Sequence, residues 1–190
     1  MSLESKMEKH PTAIIEGLNH FGDGSLIGPY CTVNDITLGN GAKLLKFVNA
    51  YGCSIGAGTK VGAFVEIQSG ARIGENTTVS SHSFICDLVT IGNDVFIGHG
   101  VMTINDLFPP SRRRTGSGEY WEPTHIGNHV IIGSNATLFP VRIGDYAVIG
   151  AGSVVRKDIP SGQVWAGNPA KYICDTSSLK YKDGKPVFKI

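Results

Sequence analysis

Residues 55–102 read IGAGTK VGAFVE IQSGAR IGENTT VSSHSF ICDLVT IGNDVF IGHGVM when written in sixes. Each six opens on an aliphatic residue: Ile55, Val61, Ile67, Ile73, Val79, Ile85, Ile91 and Ile97. Ile, Leu and Val make up about a quarter of the chain. Eight consecutive hits then have chance odds of roughly 1 in 10^5, so the period is real. Glycine follows the aliphatic at Gly56, Gly62, Gly74, Gly92 and Gly98, and the fourth residue after it is small or β-branched (Thr59, Val65, Ala71, Thr77, Ser83, Val89, Val95, Val101). A period of six suits neither a helix nor an alternating strand with a hairpin. It is the signature of a parallel β-helix.

The physical basis is simple. Each six is a brief strand plus a turn, so the chain coils into a prism with flat faces. The aliphatic points inward at mid-face, and the small residue points inward near a corner. Gly or Asn at the bends tolerates the positive φ required there. Coils stack by strand pairing about 4.8 Å apart, so each coil buries the next. The fold class is therefore all-β, and the period alone leaves the hand open.

Working outward toward the N-terminus, Ile15, Phe21, Ile27 and Val33 keep step six. Residues 1–12 are polar and read as a lead-in, with the solenoid starting near Pro11. Between Val33 and Ile55 the register slips: Leu38-Gly39 begins a shifted turn, and Asn49 stands where an aliphatic is expected. This reads as an irregular coil with a buried or corner Asn.

Toward the C-terminus the period stops at Met102. Residues 103–125 read TINDLFPPSRRRTGSGEYWEPTH, with paired prolines, an arginine triplet and an aromatic pair. That is a loop thrown out from the prism, long enough to suggest function. The period resumes at Ile126 and Ile132, is one residue short between Leu138 and Ile143, and closes through Ile149, Val155 and Ile159. The solenoid domain is thus 13–173. The tail 174–190 carries Asp183-Gly184 between alternating residues, which predicts a β-hairpin over the open end.

Composition narrows the function. At 190 residues the chain is one domain's worth. Net charge is +1, which implies no basic face and argues against nucleic acid. No signal peptide or bilayer-spanning apolar run is present, so no membrane partner is expected. Cys31, Cys53, Cys86 and Cys174 show no close pairing. They read as free thiols of a reducing, cytoplasmic protein, with Cys53 at a small inward site.

The stretch from Val148 to Pro160, VIGAGSVVRKDIP, followed by Ala166-Gly-Asn-Pro-Ala-Lys171, resembles the C-terminal signature of hexapeptide-repeat acyltransferases. The resemblance covers roughly residues 10–173. It implies a left-handed parallel β-helix, acetyl-CoA as cosubstrate, and a homotrimer with each site in a cleft between neighbouring prisms. Asn105-Asp106-Leu-Phe-Pro109, after Gly100-Val-Met-Thr, is similar to the loop of N-acetyltransferases acting on nucleotide-linked amino sugars.

Within that frame, corner residues one coil apart are candidates for the pantetheine arm: Ser134, Ala151 and Gly152. Arg156, Lys157 and Lys171 are candidates for the CoA phosphates, against the plainer reading of solvated surface charges. His82 and His99 lie 17 residues apart and are expected to stack on one edge. His99 beside the loop is the candidate general base, and His82 a substrate contact or a surface residue without a role. Asn105 is expected to bond the sugar. Asp106 is expected to hold an ammonium group or accept its proton. Arg112 and Arg114 are candidates for a diphosphate, since arginine makes forked contacts to phosphate oxygens. Tyr120 and Trp121 would stack on a base or pin the loop to a neighbour.

Transfer to the amine of a nucleotide-linked amino sugar is the leading reading, and O-acetylation of a hydroxyl the alternative. No metal is expected. A zinc protein of the γ-carbonic anhydrase kind shares the prism and would draw on His82, His99, His125 and His129. It lacks the Gly-Asn-Pro-Ala closing motif. A non-catalytic scaffold with the loop as docking arm is the third possibility.

Overall fold

The computed structural model describes residues 6–107 and 120–188. Among these residues the strands form three sheets of ten, eight and seven strands, here sheets A, B and C. The chain visits them in the order A, B, C in every coil, and each strand pairs in parallel with its equivalent one coil on. The result is a left-handed parallel β-helix. Strands are two or three residues long through most of the stack, as a six-residue unit dictates.

The inward residues are those the period selects. Ile27, Leu44, Val61, Val79, Ile97, Ile132 and Ile149 point in from sheet A, and Leu38, Ile55, Ile73, Ile91, Ile126 and Ile143 from sheet C, all buried. Burying each such side chain is worth about 1.5–3 kcal/mol relative to exposure. Three buried corner hydroxyls bond across coils, whereas Ser25 Oγ, buried at an equivalent corner, has no hydrogen-bond partner among the described residues. Thr59 Oγ1 donates to the Gly74 carbonyl at 2.8 Å, Thr77 to Gly92 at 3.0 Å and Ser83 to Gly98 at 2.9 Å.

The irregularities gather on one edge. Steps from sheet A to B and from C to A are six residues throughout the solenoid. From B to C, Val33 reaches Leu38 and Ala50 reaches Ile55 in five, Leu138 reaches Ile143 in five, and Val155 reaches Ile159 in four. The long loop leaves from this same BC edge. The expected irregular coil with a buried or corner Asn is therefore corrected: Val33 pairs with Ala50, which is the inward residue, and Asn49 lies within a strand and points outward. Two short bends on one edge, not a distorted face, absorb the slip.

The bends also differ from the Gly/Asn expectation. Asn93 Oδ1 accepts from Glu75 N at 2.8 Å, Asn128 Oδ1 from Asn93 N at 2.9 Å and Asp145 Oδ1 from Asn128 N at 2.7 Å, tying successive coils along the CA edge. The positive φ falls on the next residue, Asp94, His129 and Tyr146.

Both ends depart from the sequence reading. Glu8–Lys9 already pairs with Leu26–Ile27, so pairing begins inside the 1–12 lead-in. Main-chain pairing at an open end needs no core aliphatic, and both residues are exposed. At the other end the closing motif makes the hairpin: Gln163–Ala166 pairs antiparallel with Lys171–Asp175. The tail around Asp183-Gly184 forms a turn with one antiparallel bridge, Lys180 to Pro186, and Phe188 packs edge-on to Tyr146 at 5.8 Å.

Candidate active site

The AB edge carries two adjacent columns, because every step across it is six residues. One column is Ser81, His99, Ser134 and Ala151. The other is Tyr30, Phe47, Phe64, His82, Gly100, Asn135 and Gly152, all with positive φ. His82 and His99 share the edge but not a column, so the expected His–His stack is corrected. His82 lies on the Phe64 ring, centroids 5.0 Å apart and planes 13° from parallel.

The second column changes character along its length. Tyr30, Phe47 and Phe64 stack at 5.2 and 4.8 Å and are 59%, 39% and 50% exposed. Beyond His82 the rings stop, and Gly100, Asn135 and Gly152 follow. Gly152 has nothing where a Cβ would stand. With Ser134 and Ala151 alongside, the C-terminal half of the edge is a strip of small side chains. His99 stands at the head of that strip with an exposed side chain. Its main chain is fixed, N–H to Ser134 Oγ at 3.2 Å and carbonyl to Asn135 N at 2.7 Å.

Asn105 and Asp106 sit at the root of the loop on the BC edge, half-buried, where the Asn105 carbonyl accepts from Glu122 N at 2.8 Å. They are separated from His99 by the width of sheet B, six residues of extended chain or on the order of 15–20 Å. Within one chain the two groups do not meet. Arg112 and Arg114 lie outside the described residues.

Asp87 was not anticipated. By register it stands directly beneath Asn105, and burial, with the nearby Glu66 charge adding, pushes its carboxyl above the usual carboxylate range. Glu66 itself accepts from Tyr51 Oη at 3.3 Å and Gln68 Nε2 at 3.0 Å. The one signal in the sequence was position: Asp87 precedes Asn105 by one coil. Cys31, Cys53 and Cys86 are buried and free; burial pushes the Cys53 thiol up to about 12, which removes it as a nucleophile.

The cation set lies elsewhere. Arg156, Lys157 and Lys171 line a cavity of about 550 Å³ at the C-terminal end, with Val155, Ile159, Trp165 and Pro169 as its apolar wall. Arg156 also lies over the Phe139 ring, 5.3 Å from its centroid. The candidate cofactor residues thus split in two: a bare strip on the AB edge, and a cationic cavity reached across the last strand of sheet B. A long ligand with an apolar arm and a polyanionic end matches both parts.

The histidines of the zinc reading are dispersed. His82 and His99 are on the AB edge, His125 on sheet C, and His129 on the CA edge against Asp94 at 3.9 Å and Tyr146 at 4.7 Å. Among the described residues no group of three or more His, Cys, Asp or Glu converges. No helix among them is long and apolar enough to cross a membrane.

Family models agree with this architecture. Residues 52–87 match the bacterial transferase hexapeptide (six repeats), and residues 123–157 the hexapeptide repeat of succinyl-transferase. A maltose O-acetyltransferase from Clostridium difficile 630 is 34% identical, with a TM-score of 0.56 over 64% of this chain and 68% of that one. The chain belongs to the hexapeptide-repeat acyltransferase family. A hexapeptide-repeat-containing acetyltransferase from Vibrio cholerae is 27% identical, with a TM-score of 0.57 over 64% of this chain and 72% of its own. The bifunctional protein GlmU of Thermotoga sp. (strain RQ2) is 33% identical over 90% of this chain, and the chain spans about 40% of that relative's length.

Proposed function

We propose that the protein transfers an acetyl group from acetyl-CoA to the amino group of a nucleotide-linked amino sugar, as a cytoplasmic homotrimer. The observation that carries this reading is the change in the AB edge at His99, from a stacked aromatic column to a bare strip that leads to the cationic cavity. Ser134, Ala151 and Gly152 would flank the pantetheine arm, and Arg156, Lys157 and Lys171 would meet the phosphates. Bound acetyl-CoA supplies an acyl carbonyl activated as a thioester. The chain's own task is then to place a neutral nucleophile against that carbonyl and to take up its proton.

His99 suits the proton, being exposed and fixed at its main chain, with an imidazole nitrogen that can accept it. Asn105 and Asp106 suit the acceptor. Their separation from His99 supports assembly: a second copy brings its loop root to this copy's AB edge, which one chain does not do alone. The exposed ring column offers a seam for that contact.

O-acetylation is the second reading, favoured by the similarity to a maltose O-acetyltransferase. A screen settles the acceptor. Acetyl-CoA is offered with nucleotide-linked 3- and 4-amino sugars and with sugars lacking an amine, and thiol release is followed. Release with the amino sugars only supports N-transfer. Release with hydroxyl acceptors only replaces it with O-transfer. No release from either, with no thermal stabilisation by saturating CoA, overturns the acyltransferase reading and favours a scaffold.

A further inference from the structure

Among the described residues, sheet B has one polar residue at its mid-face inward positions. Val33, Ala50, Ile67, Ile85, Leu138 and Val155 are apolar, whereas the equivalent residue at the loop root is Thr103, 2% exposed. Valine would fill the same space without a hydroxyl to satisfy. The hydrogen bonds show what the hydroxyl does instead.

At the other two-residue strands of sheet B that have a coil beyond them, the first N–H after the strand donates to the main chain one coil on: Gln68 N to Ile85 O at 2.9 Å, Ile104 N to Leu138 O at 2.9 Å, Phe139 N to Val155 O at 3.0 Å. The equivalent acceptor for Cys86 N is the Thr103 carbonyl. Cys86 N donates instead to Thr103 Oγ1 at 2.8 Å. The hydroxyl proton is then free to point at the Phe84 carbonyl at 3.1 Å or Cys86 Sγ at 3.2 Å. The strand register agrees. Glu66 and Ile67 both pair with the coil above, and Met102 and Thr103 both pair with Thr137 and Leu138, but between Phe84–Ile85 and Met102–Thr103 only Phe84 and Met102 pair. The ladder opens on one side at Thr103, two residues before Asn105.

We propose that Thr103 is a positioning residue: its hydroxyl replaces a main-chain carbonyl in the ladder, lets the strand part from the coil beneath, and so aims Asn105 and Asp106 out of the prism. The functional part of this inference rests on the loop root being the acceptor side, as proposed above. The acceptor is recognised by groups whose direction is set in the core, not by the loop's own residues alone.

Two substitution pairs test it, with hydrogen exchange and kinetics read together. Thr103→Val keeps the shape and removes the hydroxyl; Thr103→Ser and Thr103→Ala give a second comparison that isolates the hydroxyl at equal loss of the methyl, in case the Val variant folds poorly. Loss of one hydrogen bond at a ladder opening predicts about tenfold faster amide exchange over residues 104–107 in Val and Ala, with Ser near wild type. Acceptor KM is expected to rise, or kcat to fall, by about tenfold in the same two variants, with the acetyl-CoA KM unchanged. If exchange and acceptor kinetics stay within about twofold of wild type while Tm alone falls, Thr103 is a core residue only and the inference is wrong. If the wild-type protein transfers to no acceptor, the functional reading fails separately, and the exchange data still decide whether Thr103 aims the loop root.

Discussion

His99 and Asp87 illustrate how differently two polar residues of one solenoid are placed. His99 is an exposed imidazole on a rigid bend. Its substitution tests which nucleophile the site serves. A hydroxyl must lose its proton during attack, so with such an acceptor His99→Ala should lower kcat about 10^2–10^4-fold. An amine that arrives neutral needs less help, and an activity loss under about tenfold would identify N-transfer. Asp87 is half-buried beneath the loop root, with its carboxyl raised by burial above its ordinary 3.8. The folded chain therefore binds that proton more tightly than the unfolded chain does. The stability tied to Asp87 is fully present below about pH 4 and declines as pH rises through the raised folded value. Removing the charge reverses the loss: Asp87→Asn should have a higher Tm than wild type at pH 7, with the difference closing as pH falls toward about 3.5. A lower Tm for the variant at pH 7 would mean that Asp87 is held by a favourable partner instead.

At the scale of edges and coils, the period of six fixed what can be read in advance. Ile55 through Ile97 gave the core of the regular coils because inward packing tolerates only aliphatics there, and a six-residue step leaves the face unambiguous. The ring column was not seen, because bends are expected to hold Gly or Asn, yet Tyr30, Phe47, Phe64 and His82 recur at 17 or 18 residues, one coil apart. Their spacing was the available signal. Thr103 is hidden for the opposite reason: the aliphatic register ends at Ile97, so the period read from the sequence stops at Met102, although the strand continues one residue further. Asn49 is ambiguous in the sequence because shortened bends and a broken face look alike in one dimension. The edges differ in what they tolerate, and this is testable. BC steps range from four to six residues in the compact coils, while AB steps are always six. One Gly inserted between Gly52 and Cys53 lengthens a five-residue BC step to six and should cost about 1 kcal/mol or less. The same insertion between Ala63 and Phe64 swings the next inward residues to the outer face and should cost several kcal/mol or prevent folding. Thermal denaturation of the two insertions compares them directly, and equal losses would refute the distinction.

A solenoid of this kind is a straight rod, so whatever covers its aromatic column must be straight and repeat at the same pitch. Tyr30, Phe47 and Phe64 present ring edges at intervals near 5 Å, and Phe96 and Met102, 43% and 46% exposed, flank the same edge higher up. At about half exposure, each of these five side chains offers about 100 Å². Together that is more than half of the roughly 800 Å² per partner in a stable interface. A second copy of the chain has the required length and pitch, and it also brings a loop root to an AB edge. Assembly and activity should therefore fail together. Phe47→Lys with Phe64→Lys keeps both side chains on the surface and places like charges one coil apart at the seam. The variant should retain the β-rich circular dichroism of the wild type, run as a monomer by light scattering at micromolar concentration, and lose acetyl transfer by about 10^2-fold or more, since the acceptor side and His99 no longer meet. A variant that keeps the wild-type mass by light scattering would remove the ring column from the interface. A monomeric variant with full activity would show that each chain builds its site alone, and the separation of His99 from Asn105 across sheet B would then exclude their acting on one acceptor.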